Sequence, residues 1–149
     1  MEFDIVKMSE ANISEIAELE KICFSKPWSE NTLRYQLTDD CANFFAAVSN
    51  NKIIGYCGCH IAADECYTDN IAVFPDYRKN GLGKALTIKL IETAEEKNCA
   101  FISLEVRPSN TAAVHMYKKL GFEIVGKRRN FYSSPAEDAL IMTLYFKKD

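Results

Sequence analysis

The chain has 149 residues, of which 48% are apolar and 26% charged, and its 18 basic and 21 acidic side chains leave a formal charge of −3. That length suits one domain spanning residues 1–149, and the charge balance excludes a chain-wide basic field for nucleic acid or for an anionic membrane. No apolar run reaches the roughly 20 residues that cross a bilayer, and Met1-Glu2-Phe3-Asp4 lacks the basic-then-apolar layout of a secretory leader, so a cytoplasmic protein is expected.

Phe3 to Met8 alternates as an opening strand does. Asn12 is placed to cap a helix with Ile13, Ile16, Ala17, Leu19, Ile22 and Cys23 as its apolar positions and an acidic far face. After Pro27-Trp28, Ser29 caps a second short helix running to about Leu37. Phe44 to Val48 and Lys52 to Ile61 then flank Asn50-Asn51 as the arms of a hairpin.

Cys66 to Phe74 is a β-branched strand that runs into Pro75-Asp76-Tyr77-Arg78-Lys79-Asn80-Gly81-Leu82-Gly83-Lys84 and then into a helix. Gly81 and Gly83 let backbone N–H groups approach an anion without Cβ interference, the helix N-terminus adds a favourable field, and Arg78, Lys79 and Lys84 add charge. This loop fits a phosphate-bearing ligand. It is not a Walker loop, because Gly83-Lys84 is followed by Ala85, which has no hydroxyl for a metal ion. A Rossmann fingerprint is closer, since Gly81-x-Gly83 opens a helix and Glu105 lies about twenty residues on, but its third glycine position holds Leu86.

Leu82, Leu86, Leu90, Ile91 and Ala94 give the helix an inward stripe, and Asn98 stops it. Ala100 to Val106 reads as a buried strand interrupted by Ser103 and Glu105. Pro108-Ser109-Asn110 breaks the chain and starts a helix that ends at Leu120-Gly121-Phe122, with glycine at C′. Strands near Glu123 to Arg129 and Asp138 to Phe146 close a mixed, partly parallel α/β sheet. The six cysteines contain no Cys-x-x-Cys and have only two histidines to join them, so reduced, buried thiols are expected and no metal site.

Candidate chemistry lies at Glu105, Asn110 and Tyr117. A carboxylate at the end of a buried strand is desolvated and so suited to general-base work. The same position equally suits an ion pair with Arg107, Arg128 or Arg129. Tyr117 shares a helix face with Ala113, Val114 and Leu120, which fits core packing. If it instead reaches the end of the Glu105 strand, the two form an acid and a base across one pocket. His115 belongs on the solvent face.

Arg78-x-x-Gly81-x-Gly83 after Ile-Ala-Val resembles the acyl-CoA pyrophosphate loop of the GNAT N-acetyltransferase superfamily. Leu104-Glu105-Val106-Arg107-Pro108-Ser109-Asn110-Thr111-Ala112-Ala113 and Met116-Tyr117-Lys118-Lys119-Leu120-Gly121-Phe122 resemble the RimI-type ribosomal-protein-alanine N-acetyltransferases within it. So do Cys23-Phe24-Ser25-Lys26-Pro27-Trp28-Ser29, Arg128-Arg129-Asn130-Phe131-Tyr132 and Glu137 to Met142.

The resemblance implies a single-domain GNAT fold with about seven strands and about four helices. It implies Glu105 as proton acceptor and Tyr117 as proton donor to the CoA thiolate. Asn110, Ile71, Ala72, Val73 and Arg78 through Lys84 (Arg78, Lys79, Asn80, Gly81, Leu82, Gly83, Lys84) are the implied acetyl-CoA contacts. Backbone N–H groups near Ala72 and Val73 are the implied oxyanion donors. Phe24, Pro27, Trp28 and Tyr132 fall where related enzymes shape the acceptor pocket, and Asp69 departs from the apolar or neutral residue more usual at its position. Acetyl-CoA is then a cosubstrate, with no metal needed. The acceptor is a protein N-terminus, the terminal alanine of a small-subunit ribosomal protein, and the protein is a monomer or weak dimer that contacts neither nucleic acid nor membrane. The alternatives are transfer to an internal lysine, another protein N-terminus or a small amine, and a non-catalytic CoA- or nucleotide-binding module.

Overall fold

The computed structural model of the protein describes residues 1–146. The strands are β1 (Asp4–Lys7), β2 (Ala42–Ser49), β3 (Lys52–Ala62), β4 (Glu65–Val73), β5 (Phe101–Val106), β6 (Glu123–Tyr132) and β7 (Glu137–Tyr145). The α-helices are α1 (Ile13–Cys23), α2 (Glu30–Tyr35), α3 (Leu82–Glu96) and α4 (Thr111–Lys119). The strands form one sheet in the order β1-β2-β3-β4-β5-β7-β6. Only β4 and β5 run parallel, as their connection through α3 requires. Among the described residues no helix is long and apolar enough to cross a membrane.

The local signals act largely as expected. Asn50 and Asn51 both take positive φ (50° and 63°) and turn Ser49 onto Lys52. The Ser29 hydroxyl accepts from the Thr32 N–H at 3.2 Å. Gly121, at φ 105°, closes α4, with Phe122 N–H donating to the Tyr117 carbonyl and the two rings 5.6 Å apart. That cap and its apolar contact fix the end of the helix that carries Tyr117.

Three expectations are corrected. Asn12 does not cap α1 with its side chain; its Oδ1 accepts from the Ser9 N–H at 2.8 Å and closes a short 3-10 turn instead. On α1 the buried stripe is Ile13, Ile16, Ala17, Leu19 and Glu20, while Ile22 is 55% exposed. At about 100° per residue, position 22 lies opposite position 13 and position 20 lies beside it. Finally, Cys57, Cys59, Cys66 and Cys99 are buried free thiols, but Cys23 is half-buried and Cys41 exposed.

The two sheet faces have separate cores. Leu82, Leu86, Leu90 and Ala94 of α3 pack with Cys57, Ile102, Leu104 and Tyr117 on one, and Ile13, Ile16 and Leu19 of α1 with Phe44, Tyr56 and Leu33 on the other. β4 and β5 pair only from Glu65–Phe101 to Tyr67–Ser103. Beyond that point β4 stays on β3 and β5 on β7, so the sheet opens into a cleft between them.

Candidate active site

The cleft holds a cavity of about 520 Å³, walled by β4 and β5, the loop after α1 and the end of β6. Glu105, Tyr117, Asn110, Asp69, Ile71, Phe24, Trp28 and Tyr132 all line it, so residues up to 108 positions apart converge on one chamber. Pro27 is exposed and is not part of the wall.

Glu105 is not the desolvated carboxylate expected at the end of a buried strand. The divergence of β4 leaves its side chain 31% exposed, and its Oε1 accepts from Arg128 Nε at 3.2 Å. Of the three arginines considered, Arg128 is therefore the partner, and it leaves Oε2 of this cavity-lining carboxylate without a hydrogen-bond partner among the described residues. Tyr117 is 8% exposed, and burial, reinforced by the nearby Tyr132, pushes its phenol up to about 12. Its hydroxyl has no protein partner among the described residues although it faces the cavity. A protonated, unengaged phenol and a carboxylate on the walls of one cavity suit proton transfer in both directions.

The turn joining these residues is held by Glu137, which accepts from the Ser109 N–H and Oγ, both at 2.8 Å, and from Arg107 Nη1 at 3.3 Å. Those donors pull its carboxyl below the ordinary value. Arg107 also clamps the loop after β6 through the Pro135 and Ser133 carbonyls and lies 4.3 Å over the Tyr132 ring. Asn110 caps α4, accepting from the Ala113 N–H at 3.3 Å, which leaves its amide nitrogen for a ligand.

The anion loop lies outside the cavity, past the end of β4. Gly81 is left-handed at φ 77°, and a Cβ added at Gly81 or Gly83 would meet nothing within 4 Å. Ala85 N–H makes the first helical bond, to the Gly81 carbonyl, so the amides of Leu82, Gly83 and Lys84 are the open donors of the first turn. The Leu82 side chain is buried and contributes only its backbone. Lys79 and Lys84 are exposed, whereas Arg78 turns back, its Nε donating to the Val73 carbonyl at 3.1 Å and its Nη2 lying 3.4 Å from Cys23 Sγ. A bare amide row with flanking lysines and an open glycine surface fits a pyrophosphate.

Because Phe74 N–H bonds the Ile54 carbonyl, alternation along the strand turns Val73 and Ile71 toward the cleft and Ala72 toward β3. The backbone donors facing the cleft are thus Ile71, which lines the cavity, and Val73 beyond it, not Ala72.

Residues 13–122 match the acetyltransferase (GNAT) family model. The chain belongs to this family. It is 39% identical over 128 residues, 85% of this chain and 86% of the relative, to the ribosomal protein bS18-alanine N-acetyltransferase of Escherichia coli. It superposes on the crystal structure of the ribosomal-protein-S18-alanine N-acetyltransferase from that organism with a TM-score of 0.89 at 33% identity, covering 99% of this chain and 96% of the other. A chain of the NatC complex, solved with Gag peptide and CoA, matches with a TM-score of 0.86 at 25% identity, over 99% of this chain and all of that one. The protein is an acetyltransferase.

Two groups in or beside the cavity escape the sequence reading. Glu20 is fully buried, and its carboxylate accepts from the Trp28 N–H at 2.8 Å, from Asn70 Nδ2 at 2.9 Å and from the Tyr56 hydroxyl. Burial outweighs those three donors and raises its carboxyl. The signal was present: Glu20 is the last position of an i, i+3, i+4, i+7 stripe begun by Ile13, Ile16 and Ala17. His60, two strands from Glu105, bridges Asp69 at 2.5 Å and Gln36 at 2.9 Å. No local pattern marks it, because β3 and the segment after α2 meet only in the fold.

Proposed function

We propose that the protein, acting as one domain over residues 1–149, transfers the acetyl group of acetyl-CoA to the α-amine of a protein N-terminus, the terminal alanine of a small-subunit ribosomal protein. The observation that carries the reading is that Glu105 and Tyr117 wall one cavity in the β4–β5 cleft, while the anion loop caps the same cleft beyond Val73. The pyrophosphate of acetyl-CoA rests on the amides of Leu82, Gly83 and Lys84, with Lys79 and Lys84 beside it.

A peptide α-amine has an unperturbed pKa of roughly 7.7 to 8.0, so a carboxylate suffices to remove its proton as the nitrogen attacks. Glu105 takes that proton at Oε2, since Oε1 is held by Arg128. The amine nitrogen bonds to the thioester carbonyl carbon, and the N–H groups of Ile71 and Val73 face the developing oxyanion. As the C–S bond breaks, the Tyr117 hydroxyl gives its proton to the sulfur. The Phe24–Trp28 loop and Tyr132 form the acceptor side, tied together where Ser25 Oγ donates to the Ser133 carbonyl at 3.2 Å.

Mass spectrometry of acetyl transfer tests this directly. A peptide beginning with free alanine should be acetylated, and the same peptide with a blocked N-terminus and an internal lysine should not. Glu105→Gln should lower kcat by at least about 100-fold, within the usual span of a lost general base. Transfer to the blocked peptide moves the acceptor to lysine, and CoA binding without transfer to either peptide points to a small-amine acceptor or a binding module.

A further inference from the structure

Asp69 is the extra residue of a β-bulge: Asn70 pairs with Gly58 and Thr68 with Cys59, leaving Asp69 without a partner on β3. The bulge begins where β4 parts from β5. Tyr67 is opposite Ser103, so Asp69 and Glu105, each two residues further, stand at the same level on the two diverging strands and line one cavity. The Asp69 side chain is only 24% exposed, and its Oδ2 is 2.5 Å from His60 Nδ1. His60 Nε2 in turn faces Gln36 Oε1 at 2.9 Å and Asp39 Oδ2 at 3.4 Å, which fixes the ring from the α2 side. Phe44 abuts the imidazole edge-to-face at 5.7 Å.

Of the other charges around this cavity, Lys26 is exposed on the loop after α1 and makes no hydrogen bond or ion pair among the described residues, and the rest are engaged. Glu20 is occupied by three donors, Arg107 by the loop carbonyls and Glu137, and Arg128 by Glu105 Oε1. Two carboxylate oxygens, Oδ1 of Asp69 and Oε2 of Glu105, are left without hydrogen-bond partners among the described residues. The Thr68 hydroxyl on the same wall is buried and likewise unpartnered. Burial raises the Asp69 carboxyl, His60 opposes that rise, and the facing charges of Glu105 and Asp39 add to it. Two such carboxylates facing each other across a partly dry cleft are mutually unfavourable until a cation enters between them.

We propose that Asp69, held in place by His60, binds the ammonium form of the acceptor's N-terminus opposite Glu105, so that the enzyme selects acceptors that arrive as cations. The inference rests on the N-terminal transferase reading above and names the substrate charge that site takes. Asp69 touches the acceptor; His60 is a positioning residue.

The test compares an alanine-initiated peptide with its desamino counterpart, which has a propionyl group in place of alanyl, both titrated at neutral pH into enzyme saturated with CoA. Wild type should bind the amine-bearing peptide about tenfold more tightly, the scale of one charge-assisted hydrogen bond. Asp69→Asn should abolish that preference and raise the acceptor KM about tenfold while kcat changes less than about threefold. Asp69→Glu should retain the preference, which separates charge from folding if the asparagine variant is unstable. His60→Gln should raise KM by a smaller factor with kcat intact. Full discrimination in Asp69→Asn, or a loss confined to kcat, overturns the inference while leaving the transferase reading standing. Absence of transfer by wild type overturns both.

Discussion

Replacing Glu20 by leucine removes an acceptor on which three donors converge. Asn70 Nδ2 keeps a second partner, the Tyr56 oxygen at 2.9 Å, but the Trp28 N–H and the Tyr56 hydroxyl lose theirs. A buried donor left unsatisfied costs about 1–3 kcal/mol, so the gross loss is about 2–6 kcal/mol. Leucine also relieves the burial of the carboxylate itself, whose unfavourable environment shows in its raised carboxyl. The net loss expected is about 2–4 kcal/mol, or a Tm lower by about 5–15 °C for a chain of this size. The deficit depends on pH in a defined direction. A carboxyl raised above its ordinary 4.5 holds its proton more tightly when folded, so Glu20 contributes stability that is complete below 4.5 and lost as pH rises through the folded value. The variant should therefore trail the wild type by more near about pH 5 than near about pH 8. Urea unfolding followed by circular dichroism at both pH values measures this, and the acceptor KM should rise because Trp28 loses its tether. A variant within about 0.5 kcal/mol of wild type at both pH values refutes the reasoning.

Gly83→Ala should raise stability by about 0.5–1 kcal/mol, because alanine suits a helix and its methyl meets open space, yet raise the acetyl-CoA KM severalfold by blocking the amide row; chemical denaturation and initial rates give the two signs independently. Tyr117→Phe removes a hydroxyl with no protein partner, so unfolding should be nearly unchanged while kcat falls about 100-fold or more. In the wild type that phenol, pushed up to about 12, should stay protonated across the neutral range, so the free-enzyme rate profile should show no limb from it below about pH 10.

Much of this was legible along the chain because the signals are local. Asn50-Asn51, Ser29, Asn98, Gly121 and the glycines after β4 each act through their own backbone or the next few residues, and the order of strands and helices follows from them. Glu105, Tyr117 and Asn110 could be selected because residue type and element position limit what they can do. Their meeting in one cavity could not be read off, since it depends on where β4 and β5 stop pairing, which is a property of the whole sheet.

The same distinction explains the corrections. The exposure of Glu105 and its choice of Arg128 follow from strand divergence and from β6 lying beyond β7, and Arg78 turns inward because Val73 offers it a carbonyl on the open edge. His60 and Asp69 become partners only through a one-residue bulge between neighbouring strands. By itself the sequence determined the elements and the glycine-bearing turn after β4, because these rest on backbone chemistry within a turn or two, and it singled out Glu105 and Tyr117 as candidates by residue type and place. Tertiary structure alone decided the cleft, the three donors that meet Glu20 and the pairing of the cleft's charges, because desolvation and ion pairing are set by neighbours distant in the chain.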